Sequence, residues 1–255
     1  MRFLQGGVSF HKLFFLMMLT DQNRVDDLRS FYGLLDELSE TIGGPRTLAS
    51  SHGRSDWPKR GVYFFFEPEE ICHHSDHDLR VVRVGTHALK AGASSTLWER
   101  LAQHRGQVKN GGGNHRSSIF RLIVGASLMA RDDYYACPTW GQGNSAPSAV
   151  RADEIDLEIE VSKVIGAMPL LWLAVDDDPG PQSVRGDIER NAIALLSNHA
   201  KEPLDPPSEQ WLGAACNRAK VRSSGLWNSG HVDAVYDPRF LGLMATQVEK
   251  LRRSR

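Results

Sequence analysis

A chain of 255 residues is long enough to bury a full core, as one elaborated domain or as two. Its 41% hydrophobic and 24% charged residues are ordinary for a globular protein, and a formal net charge of −1 excludes a generally basic nucleic-acid coat. Three widely spaced cysteines, Cys72, Cys137 and Cys216, do not form a disulfide framework and suit a reducing, cytoplasmic setting.

Near the start, the apolar run Leu13 to Leu19 is short for a spanning helix and is followed by no small-residue cleavage pattern. It reads as a packed or frayed leader, with a signal peptide the lesser alternative and no membrane partner expected. From Asp26 to Ile42, Leu28, Phe31, Leu34, Leu35 and Leu38 recur at helical spacing, and Gly43-Gly44-Pro45 ends the pattern. Residues 1–56 are therefore expected to hold a leader and a scaffold helix that covers a sheet, with Thr47 to Lys59 a polar connector.

Gly61 to Phe66 has strand composition between Trp57-Pro58 and Glu67-Pro68. Leu79 to Gly85 reads as alternating basic and apolar residues, a strand with one face on a core, and the two strands are expected to pair antiparallel. Between them, Cys72, His73, His74 and His77 could bind zinc. Their spacing lacks paired knuckles and no second cluster completes four ligands, so a polar hairpin loop is the preferred reading.

Ser94-Ser95-Thr96 offers caps for a helix with Leu97, Trp98 and Leu101 facing inward. On it, Arg100 and His104 are four residues apart, so both side chains leave one face and could meet one phosphate. Between Leu79 and Arg121 the bases Arg80, Arg83, Lys90, Arg100, Arg105, Lys109, Arg116 and Arg121 face a single acid, Glu99. This is a candidate phosphate-facing patch. The glycine-rich stretch Gln107 to Ser118 is no P-loop, because no Gly-Lys-Ser/Thr ends it. With Lys109, His115 and Arg116, and Arg121 just beyond, it is expected to lie against a nucleic-acid backbone.

Ile119 to Met129 reads as a buried helix, and Asp132 to Arg151 as a long loop. Asp153 to Ile165 reads as an acidic amphipathic helix closed by Gly166, with its five acids facing solvent. Met168 to Val175 is a buried strand, ended by Asp176-Asp177-Asp178-Pro179, whose carboxylates serve either a metal or a turn. Asp187 is expected to cap the next helix and put Glu189 in its first turn. Lys201 to Ser224 looks like an insertion with a basic tail, Arg218, Lys220 and Arg222. Asp237-Pro238 then starts a last helix with Phe240, Leu241, Met244, Val248 and Leu251 on one side.

The order of Gly61-Val62-Tyr63, Arg83-Val84-Gly85, Arg100, Glu189 and Asn228 resembles the GIY-YIG nuclease superfamily. In that family a first strand pairs with a second, a helix supplies an arginine, a later helix a metal-binding glutamate, and an asparagine follows. The Arg-x-x-x-His spacing of Arg100 and His104 is similar to that of restriction-enzyme members. The resemblance covers roughly residues 57 to 232, with one departure: Arg83 stands where the second family tyrosine belongs. It implies an α/β (α+β) domain, with a small, mostly antiparallel three-stranded central sheet flanked by helices. Residues 57–235 would form the nuclease domain, with insertions near 132–151 and 201–224, and residues 236–255 a helix packing on it.

The activity implied is endonucleolytic cleavage of double-stranded DNA, with restriction-like cutting as one form of it, by a chain that could act as a homodimer. Glu189 would hold one magnesium or manganese ion, since a lone hard carboxylate leaves the other positions to water and phosphate oxygen. Arg100 would bind a non-bridging oxygen with its planar fork. His104 would touch the phosphate or assist proton transfer, and Asn228 would order the site or bond the tyrosine. Tyr63 is the expected general base; a free phenol titrates near pH 10, so Arg83, Arg100 and the metal must promote its ionisation. A binding module that has lost catalysis, and an interaction protein with an accidental motif match, are the alternatives.

Overall fold

The structure, a computed structural model, describes residues 10–73 and 79–254, with side-chain surroundings from residue 22 onward. Helix α1 runs Phe10–Ile42, followed by the short strand β1, Arg46–Thr47, and by strands β2, Gly61–Ile71, and β3, Leu79–Gly85. Helices α2, Leu97–Arg105, α3, Ile119–Arg131, α4, Ser148–Asp153, and α5, Ile155–Ala167, precede strand β4, Pro169–Ala174. Helices α6, Val184–Leu196, α7, Ala219–Ser224, and α8, Arg239–Arg253, complete the order.

The sheet is antiparallel in the order β1-β4-β2-β3. It has four strands rather than the expected three, because Arg46-Thr47 adds a two-residue edge to β4 at the start of the stretch read as a connector. The strand begun at Gly61 also continues through Pro68 to Ile71. Pro68 lies beyond the last residues paired with β4, so the missing proline N–H breaks no bond there.

Residues opposite one another share a face, and this fixes what β3 does with its charges. Tyr63 opposes Gly85 and Trp172, and Phe65 opposes Arg83 and Leu170, so these six line one face of the sheet. Phe64 opposes Val84 and Leu171 on the other. Between the pairs Phe65 with Arg83 and Phe66 with Val81, β3 carries Val82 as an extra residue. That bulge breaks the period-two reading of this strand: Arg83 joins the face of Tyr63, and Val81, Val82 and Val84 are all buried. Arg80 is buried too, in an ion pair with Glu70 at 2.7 Å.

The second face is covered by α1 and α8. Phe31 meets Phe64 with ring centroids 5.8 Å apart and Phe240 at 6.3 Å, and Leu28, Leu35, Met244 and Val248 are buried alongside. The first face is covered by α2 and α3 through Leu97, Leu101, Phe120 and Val124, all without accessible surface. Strand β3 is the open edge of the sheet, and the segment after α7 closes it. Trp227 donates its N–H to the Val82 carbonyl at 2.7 Å, and Asn228 uses both ends of its amide on Val84, at 3.2 and 2.9 Å. An edge so paired is not open to another chain. Among the described residues no helix is long and apolar enough to cross a membrane. Of the zinc cluster, His74 and His77 lie outside the described residues; Cys72 is buried and His73 is held through its backbone N–H by Asp205.

Candidate active site

The end of β3 and the start of β2 meet in a narrow gap. Tyr63 stands directly over Gly85, and a Cβ at Gly85 would lie 2.3 Å from the tyrosine hydroxyl oxygen and 2.4 Å from Cζ. Only glycine admits the ring in this place. Gly85→Ala is expected to displace Tyr63 and lower the unfolding free energy by about 1–3 kcal/mol, as read from a denaturant melt.

With the ring held, the Tyr63 hydroxyl meets Nε2 of His104 at 2.8 Å. Nδ1 of the same imidazole meets the Ser118 hydroxyl at 2.7 Å, and Ser118 in turn caps α3. His104 has no accessible surface, so it bonds the tyrosine and does not share a solvent face with Arg100. Burial, with Arg100, Arg83 and Arg121 nearby, holds this imidazole well below its ordinary pKa and therefore uncharged at neutral pH.

Arg83 lies beneath this pair, its guanidinium 4.6 Å from the Phe120 ring centre and donating to the Trp227 carbonyl. Burial draws its pKa down, and Tyr63 and Glu189 oppose that shift. Arg100, on the exposed side of α2, donates to Gln103 Oε1 at 2.9 Å and to the Ser117 carbonyl at 3.3 Å.

Glu189 reaches the same place from α6. The helix is capped by Ser183, not Asp187, so the glutamate sits in the second turn. Its Oε1 accepts from the Thr86 N–H at 3.1 Å, while the Thr86 hydroxyl donates to the Gly61 carbonyl at 2.8 Å. One residue thus ties the ends of both motif strands to the carboxylate. Burial raises the Glu189 pKa, against the Thr86 N–H and the cations Arg83, Arg100 and Arg185. A desolvated carboxylate with one oxygen engaged is a suitable ligand for a hard divalent ion that takes its remaining oxygens from water and substrate. No group of three or more metal-ligating side chains occurs among the described residues, and Glu189 is the carboxylate this place offers to such an ion. Asp177, the remaining carboxylate of interest, is committed to Arg185 and Ser183 and works as a turn residue.

Two openings border these residues. A cleft of about 210 Å³ is lined by Thr86, His87, Ala88, Ser95, Arg100 and Gln103. A wider groove of about 650 Å³ shares Ser95 and Gln103 with it and continues past Gln107, Asn114 and Ser117. Neither Tyr63 nor Glu189 lines either opening; the small cleft lies nearer to them, through Arg100 and through Thr86, whose N–H binds Glu189.

The predicted nucleic-acid contacts fare differently. Lys109 is exposed. Arg121 has no accessible surface: it binds Glu158 Oε2 through Nε at 2.9 Å and the His104 carbonyl at 2.9 Å. His115 is buried against Trp140, with centroids 3.8 Å apart. Its Nδ1 meets Glu158 at 3.0 Å and its Nε2 accepts from Gly141. Arg116 is paired with both oxygens of Glu154 at 2.6 and 2.8 Å. His115 and Arg121 lie inside the protein and the Arg116 side chain is covered, and the acids Glu154 and Glu158, expected in solvent, are the buried partners that hold them there. The glycine loop is packed as well: a Cβ at Gly113 would sit 2.2 Å from the Arg121 guanidinium carbon.

Thr86, His87 and Ser118 escaped the sequence reading. Thr86 and His87 follow Gly85 directly, and Ser118 opens an apolar helix as its cap, which were the available signals.

The antiparallel sheet thus brings a tyrosine, two arginines and a helical glutamate toward one end. A family model described as GIY-YIG domain matches residues 22–254, and the chain belongs to that family. The family is one of nucleases that act on DNA and generally depend on a divalent metal ion. No curated protein and no solved structure matches the chain.

Proposed function

We propose that this protein is a metal-dependent endonuclease that hydrolyses phosphodiester bonds of double-stranded DNA. The observation that carries the reading is the contact of the Tyr63 hydroxyl with an uncharged, buried imidazole, at the sheet end where Glu189 is held. Tyr63 takes a proton from the attacking water, with Arg83 and Arg100 beside it to favour the charge that this base must carry, and the uncharged imidazole of His104 orients the tyrosine oxygen through Nε2. Arg83 and Arg100 supply positive potential where negative charge grows, and Arg100 alone lines the cleft and can fork onto a phosphate oxygen. Asn228 and Thr86 fix the strand end from either side. A magnesium or manganese ion bound at Glu189 would polarise the phosphate and stabilise the leaving oxygen.

Lys109 and the wider groove are assigned to the flanking DNA, and cutting at a restriction-like palindrome would call for a homodimer. The three free cysteines suit a cytoplasmic setting. Supercoiled plasmid incubated with magnesium or manganese is expected to be nicked or linearised. Glu189→Gln should lower that rate about 10³-fold or more, the several kcal/mol a metal ion supplies. Salt-sensitive DNA binding without cleavage by either protein would instead favour a silent binding module, for which Arg83 in the tyrosine's place is the supporting feature.

A further inference from the structure

The turn just past β3 concentrates two unfavourable features with no structural return. His87 is 6% exposed, and neither ring nitrogen has a hydrogen-bond partner in the protein. The Lys59 carbonyl faces the ring but lies outside hydrogen-bonding geometry. Buried polar groups are almost always paired, and an unpaired one is destabilising. The next residue, Ala88, has φ +50, a left-handed conformation that a side chain other than glycine adopts at a cost.

The turn is nevertheless held firmly. Arg185, with no accessible surface and ion-paired to Asp177, donates to the His87 carbonyl at 2.7 Å. Thr86 on the other side is fixed to Glu189 and Gly61. His87, Ala88 and Arg100 all border the 210 Å³ cleft. A rigidly supported turn thus carries an imidazole with both nitrogens vacant to the wall of the cleft that holds the phosphate-binding arginine.

We propose that His87 is a substrate-contacting residue, one of whose ring N–H groups donates to a phosphate oxygen of the DNA strand held in this cleft by Arg100. This rests on the nuclease reading above. Burial, then the neighbouring Arg185, keeps the imidazole near pKa 4, so it supplies a donor without further charge beside Arg100 and Arg60. Both nitrogens are without accessible surface in the free protein, so the bond to phosphate requires the ring to turn toward the cleft as substrate enters.

The test compares the parent chain with His87→Ala, His87→Asn and Arg100→Ala. Nicking of supercoiled plasmid gives kcat and KM, and fluorescence anisotropy on a mixed-sequence duplex gives affinity across a salt series. His87→Ala is expected to lower kcat/KM about 10- to 100-fold, a hydrogen bond to a charged group, with partial recovery in His87→Asn. The slope of log affinity against log salt should be unchanged by His87→Ala and reduced by about one in Arg100→Ala. Parent-level kinetics in His87→Ala, with the parent active, would overturn the role of His87 and leave the nuclease reading standing. A thermal unfolding shift in His87→Ala with unchanged kcat/KM would do the same, making the ring purely structural. A parent chain that neither binds nor cuts DNA would overturn both.

Discussion

Tyr63→Phe is expected to lower plasmid cleavage by about 10²- to 10⁴-fold, the range a positioned general base contributes, and to leave duplex binding within about twofold. The substitution removes one oxygen and nothing else. The ring is 1% exposed and lies edge-on to Phe65 and His104, with centroids 5.6 and 5.5 Å away, and phenylalanine keeps those contacts. The hydroxyl contributes one hydrogen bond to a buried imidazole, worth about 1 kcal/mol of stability. A large loss of turnover against so small a loss of stability separates a chemical role from a packing one. Steady-state nicking, an anisotropy titration and a melt on the same preparations decide it, and unchanged turnover would remove Tyr63 from the mechanism. His104→Gln should slow cleavage as well without weakening DNA binding, because His104 reaches substrate only through the tyrosine.

What the sequence made legible follows from which interactions are local. Gly61-Val62-Tyr63, the helix opened by Thr96, and the buried run Pro169–Ala174 are set by composition and capping within a few residues, and each forms where its pattern places it. The joining of Tyr63, Arg83 and Glu189 at one sheet end was accessible only through the order of motifs, since no spacing links residue 63 to residue 189. The misreadings share one cause. Arg80, Arg83, Arg116 and Arg121 are surface residues by type, and only a partner brought from elsewhere in the chain makes them interior ones. For Arg80 it is Glu70, ten residues away; for Arg121 it is Glu158, and for Arg116 it is Glu154, 37 and 38 residues on. A single extra residue in β3 likewise turned the face of Arg83, which periodicity alone does not show. His104 was paired with Arg100 because they share a helix face, but α3 closes over that face at His104 and leaves only Arg100 to the cleft.

The buried acid that overturned the phosphate-patch reading carries the largest expected effect on stability. Glu158→Gln should lower the unfolding free energy by about 3–5 kcal/mol, because it leaves the Arg121 charge in the interior without its counter-ion. Burial works against the Glu158 charge, but the hydrogen bonds from His115 and Arg121 outweigh it, so its pKa lies below the ordinary 4.5. A carboxylate held low in the folded state stabilises above the unfolded value and loses that contribution as pH falls through the folded one. The parent chain should therefore lose stability below about pH 4.5, whereas the Glu158→Gln chain starts lower and loses less on acidification. Denaturant melts at a series of pH values test both; parallel curves would mean the carboxylate is not the linked group. Replacing the pair together, Glu158→Leu with Arg121→Met, should recover much of the loss, since neither charge is then stranded. The recovery should stop short of the parent, because Arg121 also donates to the His104 carbonyl and the Ser162 hydroxyl. That carbonyl belongs to the residue whose imidazole bonds the Tyr63 hydroxyl. A double variant that folds well yet cuts slowly would show that the buried cation, though unable to touch DNA, holds the imidazole in register with the tyrosine.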